Sequence, residues 1–257
     1  MISQRAKEMI VRSPLHKSML IIRSWIEEVR IRRVRGIAGG TKAYCISPYK
    51  TGTTYVCGLF SEGNRVAHEP FHHTTLRRLS DSAFLEKRAG YLSLDLESSG
   101  FFSNRLLQLR MFAPSVPVLF MCRSPEAWIG SVINYFAQLD KQVHYNYVSR
   151  LFFDPICRFA VERFYEMSAD GQRHIVQSLL GFWLDVYETA KRDPGAMIVP
   201  LEQLSDKLQS VEDFLGLKAR RLGAWQRSNK TKQTFVLSDH IDPLPYRQRV
   251  AAIGYSV

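Results

Sequence analysis

The sequence predicts an α/β fold, a mainly parallel central sheet flanked by helices on both faces. Three observations lead there. Short apolar runs with strand character recur at 43–47, 66–68, 91–96, 116–122 and 196–200. Stretches with helical spacing separate them. The best runs are apolar throughout rather than alternating, as strands covered on both faces are.

The elements follow in order. Residues 1–35 read as a basic helix, with Ile10, Leu15, Met19, Ile22, Ile26 and Val29 near helical spacing and Arg30, Arg32, Arg33 and Arg35 at its end. Such a helix can lie on an anionic membrane surface. The preferred reading packs its apolar stripe on the domain, with the arginines set against the negative end of the helix dipole. Gly36, Gly39 and Gly40 then stop it. This divides the chain into a helix at 1–40, packed on or preceding the core, and a single domain at 41–257. The first core strand, 43–47, leads into a loop at 48–54 and a helix from Tyr55 to Phe60. The run at 116–122, Val-Pro-Val-Leu-Phe-Met-Cys, is the strongest strand signal, and a helix from Pro125 to Phe136 follows it with Pro in its first turn. Residues 146–192 read as helices. The strand at 196–200 precedes a helix ending at Leu215 and Gly216. The tail at 227–257 is polar and has no assignable pattern.

A chain of 257 residues, 46% hydrophobic, can bury one sizeable core. Its 23% charged content is that of a globular protein, not a disordered one. The net charge of +11 favours anionic partners without choosing among nucleotides, glycans, nucleic acids and lipids. The four cysteines lack metal-ligand spacing and read as reduced packing residues, which points to the cytoplasm. No apolar run has the length of a membrane span, and the start of the chain does not read as a signal peptide.

Two constellations carry chemistry. Ser47-Pro-Tyr-Lys-Thr-Gly-Thr-Thr54 lies between a strand and a helix. Gly52 allows a tight turn and close approach of the backbone to an anion. The N–H groups and dipole of the helix N-terminus favour negative charge, Thr51, Thr53 and Thr54 add hydroxyls, and Lys50 adds a mobile cation. The order differs from a nucleoside-triphosphatase loop, in which Lys follows the last Gly. The second constellation is Arg123-Ser-Pro-Glu-Ala-Trp-Ile-Gly-Ser131. Arg123 ends the best strand, where open α/β sheets bind ligands, and its fork suits a phosphate. Ser131 sits two turns along.

The pair of motifs resembles the sulfotransferases that use 3′-phosphoadenosine 5′-phosphosulfate. Pro48-Tyr-Lys-Thr-Gly-Thr-Thr-Tyr55 is similar to their 5′-phosphosulfate loop, with Tyr49 inserted before the Lys and Tyr55 where a Trp is usual. Arg123-Ser-Pro125 with Ser131 is similar to their 3′-phosphate motif. Leu201-Glu-Gln-Leu204 and Phe214-Leu-Gly216 are similar to a later segment, so the resemblance spans 43–217. It implies a P-loop-like sulfotransferase fold and a metal-free reaction. By the resemblance, Lys50 stabilises the leaving phosphate, Tyr49 and Thr51 to Thr54 line the 5′-phosphosulfate site, Tyr55 packs on adenine, and Arg123 and Ser131 hold the 3′-phosphate. The Glu-Pro of His68-Glu-Pro-Phe-His-His73 is similar to the carbohydrate branch, which makes Glu69 the candidate general base and a glycan or glycolipid the expected acceptor.

His68, His72, His73 and Glu97 are further acceptor-site candidates. The histidines could instead form part of a zinc site or a polar loop without a role. Lys230 and Lys232 fall where the family has a basic loop, although a solvated loop explains them as well. Two other classes remain open. A phosphoryl transferase would need a magnesium carboxylate such as Asp95 or Glu97 at a strand end. A nucleic-acid binder would need a basic, aromatic-lined face, and the only dense basic run is at 30–35. No nucleic-acid partner is expected.

Overall fold

The computed structural model describes residues 14–34, 40–137, 146–220 and 235–255. The first element is helix α1 (Pro14–Arg32), followed by β1 (Tyr44–Ile46), α2 (Thr53–Phe60), β2 (Val66–His68), α3 (His72–Arg77) and α4 (Ser82–Leu92). Then come β3 (Leu96–Ser99), α5 (Leu106–Phe112), β4 (Val118–Cys122) and α6 (Pro125–Phe136). Short helical segments between 146 and 166 lead to α7 (Ala169–Arg192), β5 (Ala196–Pro200), α8 (Leu208–Leu215) and α9 (Leu244–Ala252).

The five strands form one sheet in the order β2-β3-β1-β4-β5, and every pairing is parallel. The chain is therefore α/β, with helices covering a parallel sheet. Strand periodicity divides the core. Tyr44, Ile46, Val118 and Phe120 face a cluster with Trp128 of α6 and Trp183 of α7. Cys45, Leu119 and Met121 face the other way, toward Val56 and Phe60 of α2 and Val211 of α8. From β1 the chain crosses to β2 and β3 on one side, then to β4 and β5 on the other. The carboxyl end of β1 is thus the switch point where such sheets open a crevice.

Two expectations are corrected. The third strand is not 91–96 but Leu96–Ser99, overlapping the expected run only at Leu96. Tyr91 and Leu92 end helix α4, which Asp81 caps by accepting from the Phe84 N–H at 2.9 Å. The strand was hidden because Glu97, Ser98 and Ser99 are polar yet fully buried. Their polarity is satisfied by tertiary partners and by one another: Glu97 pairs with Arg88, Ser98 donates to the Thr53 carbonyl and Ser99 donates to Glu97.

Helix α1 also differs from expectation. It sits on α3 and α4, but through Ser24, Glu27 and Ile31, while Met19, Ile22 and Ile26 face out. The tail, unassigned from sequence, forms α9. Residues 1–13, 35–39 and 221–234, including Lys230 and Lys232, lie outside the described residues.

Candidate functional site

The loop after β1 is shaped by two left-handed residues, Lys50 (φ 73°) and Gly52 (φ 95°). At Gly52 a side chain is excluded twice, since a Cβ would also lie 2.8 Å from Leu201 Cδ1. Gly52 is the N-cap of α2 and has no side chain to occupy the first-turn N–H groups. Those N–H groups are the donors an oxyanion takes at a helix N-terminus.

The inserted Tyr49 does not line the loop's outer face. Its side chain is buried, with the ring 4.8 Å from Phe152 and the hydroxyl 2.7 Å from His72 Nε2. Its carbonyl accepts from Trp128 Nε1 at 2.7 Å. Gly100 makes room for it, because a Cβ there would come within 2.8 Å of the ring. The insertion is absorbed into the core, and the left-handed turn at Lys50 brings the chain back. This corrects the expectation for Tyr49, which is a core anchor of the loop. Thr51 is likewise buried, donating to the Pro48 carbonyl at 2.5 Å.

The Lys50 ammonium sits 3.5 Å above the ring of Tyr135 on α6, a cation–π contact. Burial and the Arg123 charge lower its pKa to about 8. Arg123, at the end of β4, donates to the Lys50 carbonyl at 3.4 Å and lies 4.0 Å from Glu202. Its own carbonyl accepts from Trp183 Nε1. Ser131 is one turn before Tyr135 on α6, on the helix side that meets the loop. Tyr55 lies partly buried in the first turn of α2, packed on the cluster behind β1.

Beyond β2, Glu69 holds a left-handed backbone (φ 48°), with its amide bonded to the Ser98 carbonyl. The Gly100 N–H donates to its carboxylate at 3.3 Å. Burial nevertheless raises its pKa from 4.5 to about 7, and Lys50 works against that rise. The Lys50 and Glu69 charges each oppose the other's pKa shift.

The three histidines separate. His68 Nε2 lies 3.1 and 3.2 Å from the Thr53 and Thr54 hydroxyls, and burial lowers its pKa to about 4. It is neutral at pH 7 and steadies the two threonines at the loop. His72 sits under Glu69, with Nδ1 3.3 Å from the carboxylate and 3.2 Å from the Tyr147 hydroxyl. Burial lowers its pKa to about 3, so it braces the carboxylate as a neutral ring. His73 turns to α1, 2.7 Å from the Ser24 hydroxyl. Glu97 is 0% exposed with both oxygens on Arg88, so it does not reach the surface. Among the described residues, no three His, Cys, Asp or Glu side chains could hold a metal ion.

Tyr135, Gly100 and the Tyr49–His72–Tyr147 contacts escaped sequence reasoning. Tyr135 could have been found by its i+4 spacing from Ser131. The others depend on tertiary contacts that leave no local pattern.

No protein-family model matches the chain, and no curated protein matches it in sequence. Among solved structures, the chain is similar to a sulfotransferase from Alicyclobacillus acidocaldarius. The TM-score is 0.46 at 11% identity, covering 86% of this chain and 98% of that one. At that likeness the neighbour's residues carry no weight for the site, which stands on its own geometry.

Proposed function

We propose that this chain transfers a sulfonate group from 3′-phosphoadenosine 5′-phosphosulfate to a hydroxyl or amine, on a glycan or glycolipid acceptor. The observation that supports the reading is that Lys50 and Arg123, bonded through the Lys50 carbonyl at 3.4 Å, stand beside the N-terminus of α2 at the sheet's switch point, with the buried Glu69 carboxyl beyond β2. An oxyanion cradle, a cation and a carboxyl near neutral pKa are the three groups in-line sulfonate transfer needs.

In this reading Glu69 takes the acceptor's proton as the acceptor oxygen or nitrogen bonds to sulfur. The bond from sulfur to the bridging oxygen breaks, and its electron pair stays on the 5′-phosphate. Lys50 and the first-turn N–H groups of α2 stabilise that charge, while Arg123 and Ser131 hold the 3′-phosphate. Such donors aimed at developing charge are each worth roughly 10²–10³ in rate.

The test is calorimetric titration with 3′-phosphoadenosine 5′-phosphate without metal, beside ATP with Mg²⁺, on wild type and Arg123→Ala. Micromolar binding of the 3′-phosphorylated nucleotide, weakened at least tenfold by the substitution, supports the reading. Better binding of ATP with Mg²⁺, or binding of neither, refutes it.

A further inference from the structure

Helix α1 is built inside out. Two of its polar residues face the protein: the Ser24 hydroxyl lies 2.7 Å from His73 Nδ1, and the buried Glu27 carboxylate accepts from Thr74 at 2.5 Å. Its large apolar residues face solvent. Met19 is 63% exposed, Ile22 57% and Trp25 66%, with Ile21 and Ile26 beside them. At 100° per residue these five fall on one arc opposite Ser24 and Ile31. The helix thus meets the domain through Ser24, Glu27 and Ile31 and leaves a Trp, a Met and three Ile side chains outward.

The charges around that face select the occupant. Arg23, Arg30, Arg32 and Arg33 are exposed at its edges and C-terminal end. Residues 1–35 hold nine arginines and lysines against three glutamates, more than half the net charge of +11. A second copy of this face would bring like charges together, and residues 1–13, themselves net basic, would do the same. An anionic bilayer suits both features, since lipid headgroups meet the arginines while Trp25 and the aliphatics enter the acyl boundary. Among the described residues no helix is long and apolar enough to cross a membrane, so the contact is one of a helix lying in the interface. We propose that α1 docks the protein on the surface of an anionic membrane through Met19, Ile21, Ile22, Trp25 and Ile26.

The test is flotation of the purified chain with phosphatidylserine–phosphatidylcholine vesicles and with pure phosphatidylcholine vesicles, beside its oligomeric state without lipid. The wild type should float with the anionic vesicles, and added salt should weaken binding. Ile22→Asp/Trp25→Asp should lower vesicle affinity at least tenfold with an unchanged circular-dichroism melt, since both side chains are exposed. Arg30→Glu/Arg33→Glu should weaken binding to anionic vesicles alone. The proposal fails if the wild type does not float or if the Ile22/Trp25 variant floats equally well. It fails too if the chain is a dimer that this variant dissociates, because a second copy then covers the face. None of these readouts depends on nucleotide.

Discussion

In the proposed reaction Glu69 is the general base, and its environment predicts an uncommon mutant. A carboxyl whose pKa is raised in the folded state stabilises the fold while protonated. That contribution is full below about 4.5 and is lost as pH rises through about 7. The gap is worth roughly 3 kcal/mol. Glu69→Gln stays neutral and keeps an oxygen for the Gly100 N–H, so at pH 8 it should be more stable than wild type by up to about 3 kcal/mol, with the difference vanishing near pH 4. Sulfonate transfer should fall by roughly 10²–10⁴ in kcat with the loss of the base. Urea unfolding at the two pH values, beside a transfer assay, checks both halves. A purely structural Glu69 would give a variant that loses stability. The same ionisations shape the pH profile. With Glu69 at about 7 needing to lose its proton and Lys50 at about 8 needing to keep one, kcat/KM should form a narrow bell peaking between those values. Lys50→Ala should remove its alkaline limb and lower the rate by about 10²–10³.

At the scale of the element, the loop after β1, to which the proposed reaction assigns the 5′-phosphate, is a strand, a turn and a helix N-terminus fixed against two neighbours, Leu201 on one side and Gly100 on the other. Gly52→Ala meets both a left-handed φ and the Leu201 contact, so nucleotide affinity should fall at least tenfold. Adding Leu201→Ala removes the contact but not the φ penalty, which is about 1 kcal/mol. The double variant should therefore regain part of the affinity, and a calorimetric double-mutant cycle measures that part. Full recovery, or none, would mean that only one of the two constraints acts. This loop was legible in the sequence because its signals are local: an apolar run, then Gly and Thr, then a helix. Arg123 was legible for the same reason, at the end of the strongest strand. What stayed hidden depends on distant partners. The ring of Tyr49 is placed by Phe152 and Gly100. The strand β3 looks like a turn until Arg88 neutralises Glu97. Periodicity showed that α1 has an apolar face, but not that Ser24 and Glu27 would be the residues to meet the protein.

Across the whole molecule, one buried guanidinium ties the fold to the site. Arg88 of α4 makes two 2.8 Å bonds to Glu97 in β3, one of 2.7 Å to Thr75 in α3, and one of 2.6 Å to the carbonyl of Pro70, next to Glu69. The Arg88–Glu97 pair is almost wholly buried. Removing one partner leaves an uncompensated buried charge, so Arg88→Met should cost about 3–5 kcal/mol. Replacing both, in Arg88→Met/Glu97→Met, takes away the stranded charge and should recover most of that loss in urea unfolding. Activity should not recover with it. Without the guanidinium, the Pro70 carbonyl has no anchor from α4 and the left-handed turn at Glu69 loses a brace. The double variant should thus fold with near-wild-type stability and bind 3′-phosphoadenosine 5′-phosphate at Arg123 with little change, yet transfer sulfonate at least tenfold more slowly. A double variant that recovers stability and full transfer together would show that Arg88 serves only to neutralise Glu97. Recovered stability with slow transfer would identify it as the residue that positions the base.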